Sequence, residues 1–192
     1  MSRLFDKDLI AARPAIPGLA YVEGFVTPAY EMELVASIDR GHWDTTWERR
    51  RQLYGQSYGR REQVQPLPAW GRELAEKIAR AAGLAQPFEQ MLVNEYLPGQ
   101  GIAFHRDYEP FDHTVASLSL LAPCVMEFRS VQDIRHESAL LERRSLLILS
   151  DESRYEWEHG IARRKKDRWD GVIIPRSRRV SVTFRRLKSP DH

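Results

Sequence analysis

The pattern of apolar and polar positions changes once along the chain, near residue 86. Before this point, apolar side chains recur at helical spacing in two stretches. The first begins after Thr27 and Pro28, a common N-cap residue followed by a favoured first helical residue, and it stops near Gly41. The second covers about residues 69–82 and is followed by Gly83, a residue type favoured just beyond a helix end. The pattern therefore predicts two helices in the N-terminal part of the chain.

After this point, short β-prone runs separated by turn residues replace the helical pattern. Such spacing is typical of an antiparallel sandwich or barrel. Because two helices precede a run of strands, we expect an α+β fold in which the helices back one sheet. The runs cover residues 90–97, 115–121, 125–128, 145–149, 171–174 and 179–187.

The length and composition narrow the class of protein. A chain of 192 residues suits one domain with one substantial core. We expect the helices and the segment between them at about residues 18–84, and the strand-rich core at about residues 86–188. The only cysteine, Cys124, lies in an apolar run and predicts a buried thiol, which fits a reducing, cytoplasmic setting. No apolar run has the length of a membrane span, and we expect a monomer that is not bound to a membrane.

The net charge of +2 is unevenly spread. Local basic patches on a nearly neutral protein can hold an anionic partner, although solvated surface arginines would explain each patch equally well. The basic clusters are at residues 49–51, 60–61, 163–166 and 176–179. Residues 42–61 also interleave arginine with tryptophan and tyrosine and have no long apolar periodicity. This segment predicts a loop or hairpin that lies over another part of the molecule.

Two histidines and one carboxylate form the candidate metal site. His105 and Asp107 are two positions apart, so an extended strand would present both side chains on one side. His159 follows much later, after Tyr155 and Trp157 in an alternating pattern that predicts an aromatic surrounding. Two histidines with one carboxylate are the ligands of non-haem Fe(II) oxygenases. Satisfied core or surface histidines are the alternative.

Polar side chains also share one face of two predicted strands. Alternation places Arg179, Ser181, Thr183 and Arg185 on the same face of the last strand. Because a guanidinium matches a carboxylate with two parallel hydrogen bonds, the two arginines could bracket a short dicarboxylate. An edge strand with exposed arginines is the alternative. Asn94 and Tyr96 share a face of an earlier strand, and either bond the same dicarboxylate or are polar residues at the edge of the core.

Together these motifs resemble the AlkB family of Fe(II)/2-oxoglutarate dioxygenases. The resemblance covers roughly residues 90–187 in unbroken order, over half of the chain. The tracts at 94–120 and 153–161 are most similar to the branch of animal tRNA wobble-uridine hydroxylases, without the methyltransferase and RNA-recognition domains of those larger proteins. The matching motifs are Asn94-x-Tyr96-x-Pro98-Gly99-x-Gly101-Ile102-x-x-His105-x-Asp107, Ser117-Leu118-Ser119-Leu120, Met126-x-Phe128, Arg144-Ser145-Leu146-Leu147, Ser153-Arg154-Tyr155-x-Trp157-x-His159-Gly160-Ile161 and Arg179-x-Ser181-x-Thr183-Phe184-Arg185.

The resemblance implies a fold, a cofactor and a reaction. The expected fold is a double-stranded β-helix, or jelly-roll, backed by the two helices and carrying a nucleotide-recognition lid. The expected Fe(II) ligands are His105, Asp107 and His159. Family chemistry uses O2 and decarboxylates 2-oxoglutarate to succinate while an N-alkyl carbon of a base is hydroxylated and lost as an aldehyde.

The same resemblance implies the cosubstrate contacts. Arg179 would pair with the distal carboxylate of 2-oxoglutarate. Arg185 would lie at the carboxylate nearer the metal, and we count it with the metal ligands among the catalytic residues. Asn94 and Tyr96 would bond the cosubstrate.

The substrate is expected to be a modified base in DNA or RNA, single-stranded or flipped out of a duplex. The family's recognition lid falls at about residues 47–61. There Arg51 and Tyr54 resemble residues of DNA-repairing members, and Tyr58 is the expected stacking ring. Glu109 matches an acid that contacts the flipped base in several repair members.

Three hypotheses for the function remain at this point. The leading one is oxidative removal of alkyl groups from nucleobases in DNA or RNA. The alternative is hydroxylation of a modified wobble uridine in tRNA. A jelly-roll binding module without catalysis is the third, and it predicts that function survives the substitution His105→Ala.

Overall fold

Two facing β-sheets and three helices make up the computed structural model, which describes residues 15–55 and 64–188. The helices are α1 (Pro28–Asp39), α2 (Ala69–Ala81) and α3 (Asp151–Tyr155). The strands are β1 (Leu19–Val22), β2 (Arg51–Tyr54), β3 (Gln90–Tyr96), β4 (Ile102–His105), β5 (Val115–Leu120), β6 (Cys124–Ser130), β7 (His136–Leu141), β8 (Leu146–Leu149), β9 (Trp157–Ile161), β10 (Lys166–Trp169), β11 (Val172–Pro175) and β12 (Arg179–Arg185).

The chain crosses repeatedly between the two sheets. The larger sheet has the order β1-β8-β5-β12-β3-β2, and the smaller has the order β4-β9-β6-β7. From β3 onwards, successive strands alternate between them singly or in pairs, and all named pairs are antiparallel. This is the double-stranded β-helix, so the expected jelly-roll within an α+β fold is confirmed. A separate hairpin, β10–β11, lies between β9 and β12 in the chain.

One face of the larger sheet is covered by α1 and α2. Val180, Val182 and Phe184 of β12 point to this face and are fully buried with Leu74 and Ile78 of α2. Each such side chain contributes about 1.5–3 kcal/mol through removal from water. Because side chains alternate along a strand, the positions between them must point into the space between the two sheets. Arg179, Ser181, Thr183 and Arg185 occupy those positions.

Local sequence accounts for the start of α1 and the end of α2. The Thr27 hydroxyl accepts a hydrogen bond from the Tyr30 amide at 3.2 Å, which satisfies one of the free amides of the first turn. Pro28, which has no amide hydrogen to leave unpaired, is the first residue of α1. Beyond α2, Gly83 adopts a φ of +68°, a left-handed conformation that glycine takes without strain.

Several elements were not expected from the apolar pattern. Strand β2 lies within the segment expected to be a loop or hairpin, and β4 and β9 are short and carry the two histidines. Helix α3 ends at Tyr155, so the expected alternation of Tyr155 with Trp157 and His159 is wrong for Tyr155. Only Trp157 and His159 alternate on β9. A five-residue helix is too short to show a helical period.

Two further expectations concern burial and membranes. Cys124 is a buried free thiol, as its apolar surroundings indicated. Among the described residues, no helix combines the length and the apolar character that crossing a membrane requires.

Candidate active site

A cavity of about 430 Å³ opens between the two sheets. Its walls come from β3, β5 and β12 of the larger sheet and from β4 and β9 of the smaller one, while residues 47–51 form part of its rim. Arginine dominates the charged residues that line it. Among the described residues, five arginines and one carboxylate, Asp107, line the cavity, so the cavity favours an anionic ligand. The arginines are Arg49, Arg51, Arg106, Arg179 and Arg185.

The three candidate metal ligands meet at one end of the cavity. His105 is the last residue of β4 and lies directly opposite His159 of β9 in the antiparallel ladder. The two rings are consequently 4.5 Å apart between centroids. Asp107 lies two residues beyond the end of β4, and its Oδ2 is 3.8 Å from His159 Nε2. Strand pairing therefore brings together residues that are over fifty positions apart in the sequence.

The two imidazoles are in states that can bind a metal ion. Burial lowers the pKa of His159 to about 4, more than the neighbouring Asp107 carboxylate raises it, so the ring is neutral at neutral pH. His105 Nδ1 lies 3.0 Å from the Ala103 carbonyl oxygen. Because a carbonyl can only accept, this contact places a hydrogen on Nδ1, so Nε2 is the nitrogen that would bind a metal.

Asp107 is ionised and is held by an arginine. Its burial would raise the pKa, but Arg185 and then the two histidines lower it further, so the net pKa lies well below the usual value. Arg185 Nε donates to Asp107 Oδ1 at 2.6 Å, and Arg185 Nη1 donates to Gln90 Oε1 at 3.1 Å. Two imidazoles and one carboxylate fit Fe(II) by ligand type. Within the described residues, however, no three His, Cys, Asp or Glu side chains are gathered as a formed metal site.

Arg179 lies at the floor of the cavity with unused hydrogen-bonding capacity. The residue is 3% exposed, and its Nη2 donates to Ser119 Oγ at 2.8 Å. Its buried Nε and Nη1 have no hydrogen-bond partner among residues 15–55 and 64–188. A buried guanidinium is costly unless an anion and acceptors satisfy it. The arrangement is therefore suited to a carboxylate that accepts two hydrogen bonds from one guanidinium.

Asn94 and Tyr96 project from β3 into the same space. The Asn94 side-chain oxygen accepts a hydrogen bond from Arg49 Nε at 3.3 Å. The Tyr96 ring lies near two guanidinium groups, with centroid distances of 5.1 Å to Arg49 and 5.3 Å to Arg179. Burial raises the pKa of Tyr96, so its hydroxyl stays protonated and can donate to an anion.

The other predicted substrate residues are distributed unevenly. Arg51 lines the cavity, and its guanidinium lies 4.6 Å from the centre of the Trp47 ring. Glu109 does not line it: its side chain is 77% exposed and pairs with Lys188. Tyr58 lies outside the described residues.

The structure corrects the placement of Tyr54. Tyr54 is buried in the core on the helix-covered face of the larger sheet, and its hydroxyl donates to Gln52 Oε1 at 3.2 Å. Arg51 and Tyr54 are three positions apart on β2, so alternation forces them onto opposite faces. Tyr54 therefore does not reach the cavity that Arg51 lines.

Three arginines at the site, Arg49, Arg106 and Arg154, were not selected from the sequence. Arg49 lines the cavity and donates from Nη1 to the Gly101 carbonyl at 2.9 Å, while Arg50 turns away to pair with Glu95. Extending the alternation back from Arg51 would have identified Arg49. Arg154 is buried, and its Nη1 and Nη2 donate to the carbonyl oxygens of Asp107 and Tyr108 at 3.1 and 2.8 Å. No local pattern shows that this side chain fastens the segment carrying Asp107.

Comparison with known proteins identifies the family of the chain. The model of the 2OG-Fe(II) oxygenase superfamily matches residues 20–185. The chain is 34% identical over 212 residues to an "Alkylated DNA repair protein ALKBH8 homolog" of Arabidopsis thaliana, covering 94% of this chain and 61% of that one. It is 33% identical over 208 residues to the "tRNA (carboxymethyluridine(34)-5-O)-methyltransferase alkbh8" of Xenopus tropicalis, covering 90% of this chain and 32% of that one.

A human relative and a solved structure complete the comparison. "Alpha-ketoglutarate-dependent dioxygenase alkB homolog 4" of Homo sapiens is 30% identical over 215 residues, covering 90% of this chain and 68% of that one. The solved structure of OsALKBH1 superposes with a TM-score of 0.70 at 19% identity, covering 89% of this chain and 99% of that one, and supports the fold. Membership implies that the enzyme uses Fe(II) as its cofactor and 2-oxoglutarate and O2 as cosubstrates. The chain belongs to the 2OG-Fe(II) oxygenase superfamily and, within it, to the AlkB-type dioxygenases.

Proposed function

We propose that this dioxygenase removes alkyl groups oxidatively from N-alkylated nucleobases in DNA or RNA. One observation carries the proposal. The partner-free Nε and Nη1 of Arg179 and the donor set His105, Asp107 and His159 face the same arginine-lined cavity, whose rim carries Trp47. This combination provides for a carboxylate cosubstrate, a metal and a flat aromatic ligand in one connected space.

The cosubstrate would lie along the larger sheet. Arg179 would bind its distal carboxylate, since the two partner-free nitrogens suit two parallel hydrogen bonds. Asn94 and Tyr96 would donate to the same molecule from β3, the strand next to β12. Arg185 would compensate negative charge at the metal end, where it now holds Asp107.

The metal would be held by His105, Asp107 and His159, of which His159 is neutral and Asp107 is ionised at neutral pH. When bound, Fe(II) supplies the activation of O2 that the hydroxylation requires. In the overall reaction, one oxygen atom of O2 enters succinate as 2-oxoglutarate loses CO2. The other enters the N-alkyl carbon, and the hydroxyalkyl group then leaves as an aldehyde while the base nitrogen regains a hydrogen.

The substrate would enter as a single base. A cavity of about 430 Å³ has room for one base beside a small cosubstrate, and a base stacked within a duplex cannot enter it. The target must therefore be single-stranded or flipped out. Trp47, 58% exposed, gives the rim an aromatic surface for stacking, and Arg51 and Arg106 add positive charge for the backbone.

The test is turnover of defined substrates. The iron-loaded protein should release formaldehyde and succinate in equal amounts from oligonucleotides that contain 1-methyladenine or 3-methylcytosine. The same oligonucleotides without the methyl group serve as controls. Turnover of 2-oxoglutarate without methyl loss from any of these substrates would reject base dealkylation.

A second candidate is hydroxylation of a modified wobble uridine in tRNA. The similarity to the frog relative, whose name places it at uridine 34 of tRNA, favours it, as does the orientation of Glu109 towards Lys188 rather than into the cavity. Mass spectrometry of tRNA nucleosides from a deletion strain distinguishes the candidates. Accumulation of the unhydroxylated nucleoside would support this reaction, and unchanged wobble nucleosides would reject it.

A further inference from the structure

The basic cluster at residues 163–166 has no part in the site described so far. It leads into the β10–β11 hairpin, and residues 163–175 are called the basic hairpin below. The side chains of this cluster point in different directions. Arg164 turns inward, with Nε 2.6 Å from Asp167 Oδ1 and Nη2 3.0 Å from Glu127 Oε1. Lys165, Lys166 and Arg168 are exposed, and none of them forms an ion pair with any other described residue.

A buried acid fixes which face of the basic hairpin is exposed. Asp167 is 1% exposed and accepts hydrogen bonds from Arg176 Nε and Nη2, each at 2.8 Å. It also accepts from the Val125 amide of β6 at 3.2 Å. Since Asp167 points inward, its neighbours Lys166 and Arg168 must point outward. They lie opposite Pro175 and Ile173 in the hairpin register, and these two residues are also exposed.

The basic hairpin is joined to the rim of the cavity. The Gly99 amide donates to the Arg164 carbonyl at 3.1 Å, and Arg176 Nη1 donates to the Gln100 carbonyl at 3.3 Å. Gln100 Nε2 donates in turn to the Glu48 carbonyl at 2.7 Å, and Arg163 pairs with the Glu48 carboxylate at 2.7 Å. Glu48 lies between Trp47 and Arg49, both of which line the cavity. Hydrogen bonds and an ion pair therefore connect the basic hairpin to the rim of the catalytic cavity.

We propose that the basic hairpin is a docking surface for the sugar–phosphate backbone of a single-stranded polynucleotide whose modified base occupies the cavity. This inference rests on the proposed nucleic-acid substrate and names the element that binds the strand away from the reacting base. Lys165, Lys166 and Arg168 supply three positive charges against one exposed acid, Asp170, at the turn. Exposed Ile173, which lies opposite Arg168 on the same face, gives bases or riboses an apolar surface. The proposal predicts a preference for oligonucleotides over single nucleotides.

Charge removal from the exposed face tests the docking surface. The variant K166A/R168A is compared with R72A/R80A, which removes two charges from α2 on the opposite face of the larger sheet. Fluorescence anisotropy measures the affinity of the full chain for labelled, unmodified single-stranded DNA and RNA of about 12 nucleotides over a salt series. We expect K166A/R168A to bind several-fold more weakly at low salt. Its slope of log affinity against log salt should fall by about 1.4, about 0.7 for each phosphate contact on a single strand.

The control variant should match the wild type in affinity and slope. Equal behaviour of K166A/R168A and the wild type would overturn the proposal, as would an equal loss in both variants. Charge reversal in K166E/R168E gives a second measurement at the same two exposed positions, where it should weaken binding further. Thermal melting of each variant confirms that the fold is intact.

Two further measurements separate this inference from its alternatives. If the hairpin instead docks on lipid, vesicles of phosphatidylserine and phosphatidylcholine will bind the wild type and oligonucleotides will not, which overturns the proposal. The KM for a methylated oligonucleotide should rise in K166A/R168A, while that for 1-methyladenosine monophosphate should not change. If no methylated substrate is turned over but oligonucleotide binding still depends on the basic hairpin, the proposed reaction is wrong and the docking surface remains.

Discussion

The floor and the rim of the cavity are built in different ways. The floor residues Asn94, Tyr96 and Arg179 lie on two central, paired strands and are at most 7% exposed. The rim residues Trp47 and Tyr108 lie outside the named strands and are 58% and 47% exposed. On the floor, position is fixed by strand register, whereas on the rim it depends on a few side-chain contacts such as the stacking of Arg51 on Trp47.

This difference assigns different tasks to the two regions. A ligand that is the same in every turnover, such as a cosubstrate, benefits from a floor whose geometry is fixed before it binds. A polymer whose bases and backbone vary benefits from a rim whose side chains can adjust. Substitutions on the floor should therefore affect mainly the binding of cosubstrate and metal, and substitutions on the rim should affect mainly the binding of nucleic acid. The predictions below test this separation.

The largest effect is expected from His159→Ala at the metal end of the cavity. Loss of an outer-shell partner already costs about 10–100-fold in metal affinity or activity, so loss of a proposed ligand should exceed about 100-fold. Iron content after anaerobic reconstitution and succinate formation are the two measurements. The control is His113→Ala, an exposed histidine that is paired with Asp112. Iron bound at the wild-type level in His159→Ala would remove His159 from the metal site.

Arg179→Gln should raise the KM for 2-oxoglutarate about 10–100-fold. A hydrogen bond to a charged group contributes about 1.5–3 kcal/mol, and each 1.4 kcal/mol is about tenfold. Iron content should stay at the wild-type level. The matched control is Arg178→Gln at the neighbouring position, where the side chain pairs with Glu95 and Asp39 outside the cavity. If both variants shift the KM equally, Arg179 has no special role.

On the rim, Trp47→Ala should weaken oligonucleotide binding by about 1–3 kcal/mol if the ring stacks on a base. Turnover of 2-oxoglutarate in the absence of nucleic acid should not change, since Trp47 lies outside the two strands that carry the proposed cosubstrate residues. Anisotropy and succinate formation measure the two quantities separately. Trp47→Phe keeps a flat ring and should recover most of the affinity. A parallel loss of cosubstrate turnover would show that floor and rim are not independent.

The smallest effect is expected from Glu109→Gln. Its side chain is largely exposed and paired with Lys188, and such surface pairs contribute little. The KM for a methylated oligonucleotide should therefore remain at the wild-type value. A clear rise in that KM, with no change for 2-oxoglutarate, would instead support the base contact that the sequence predicted.

The success of sequence analysis follows the same division. On β12, simple alternation identifies the four residues that face the cavity, because a central strand with an apolar opposite face permits only one register. The jelly-roll and the family follow from motifs on such strands. In the rim, Arg51 and Tyr54 were chosen by resemblance to other proteins and not by alternation along a strand. Arg51 lines the cavity but Tyr54 does not, because the two residues point to opposite faces of β2.

Contacts between segments remote in sequence account for the other omissions. Arg154 acts on the backbone of residues 107 and 108, and nothing near it in the chain records that contact. The position of His105 directly opposite His159 also depends on a contact between remote segments, the pairing of β4 with β9.

Arg49 belongs to both regions, and this has a thermodynamic consequence. From the rim it donates to Asn94 and to the Gly101 carbonyl, and it lies over the Tyr96 ring on the floor. A phosphate that draws Arg49 towards the rim frees the Asn94 oxygen from this contact and removes positive charge from above Tyr96. Binding at one region therefore changes the affinity at the other, and by linkage the change is the same in both directions.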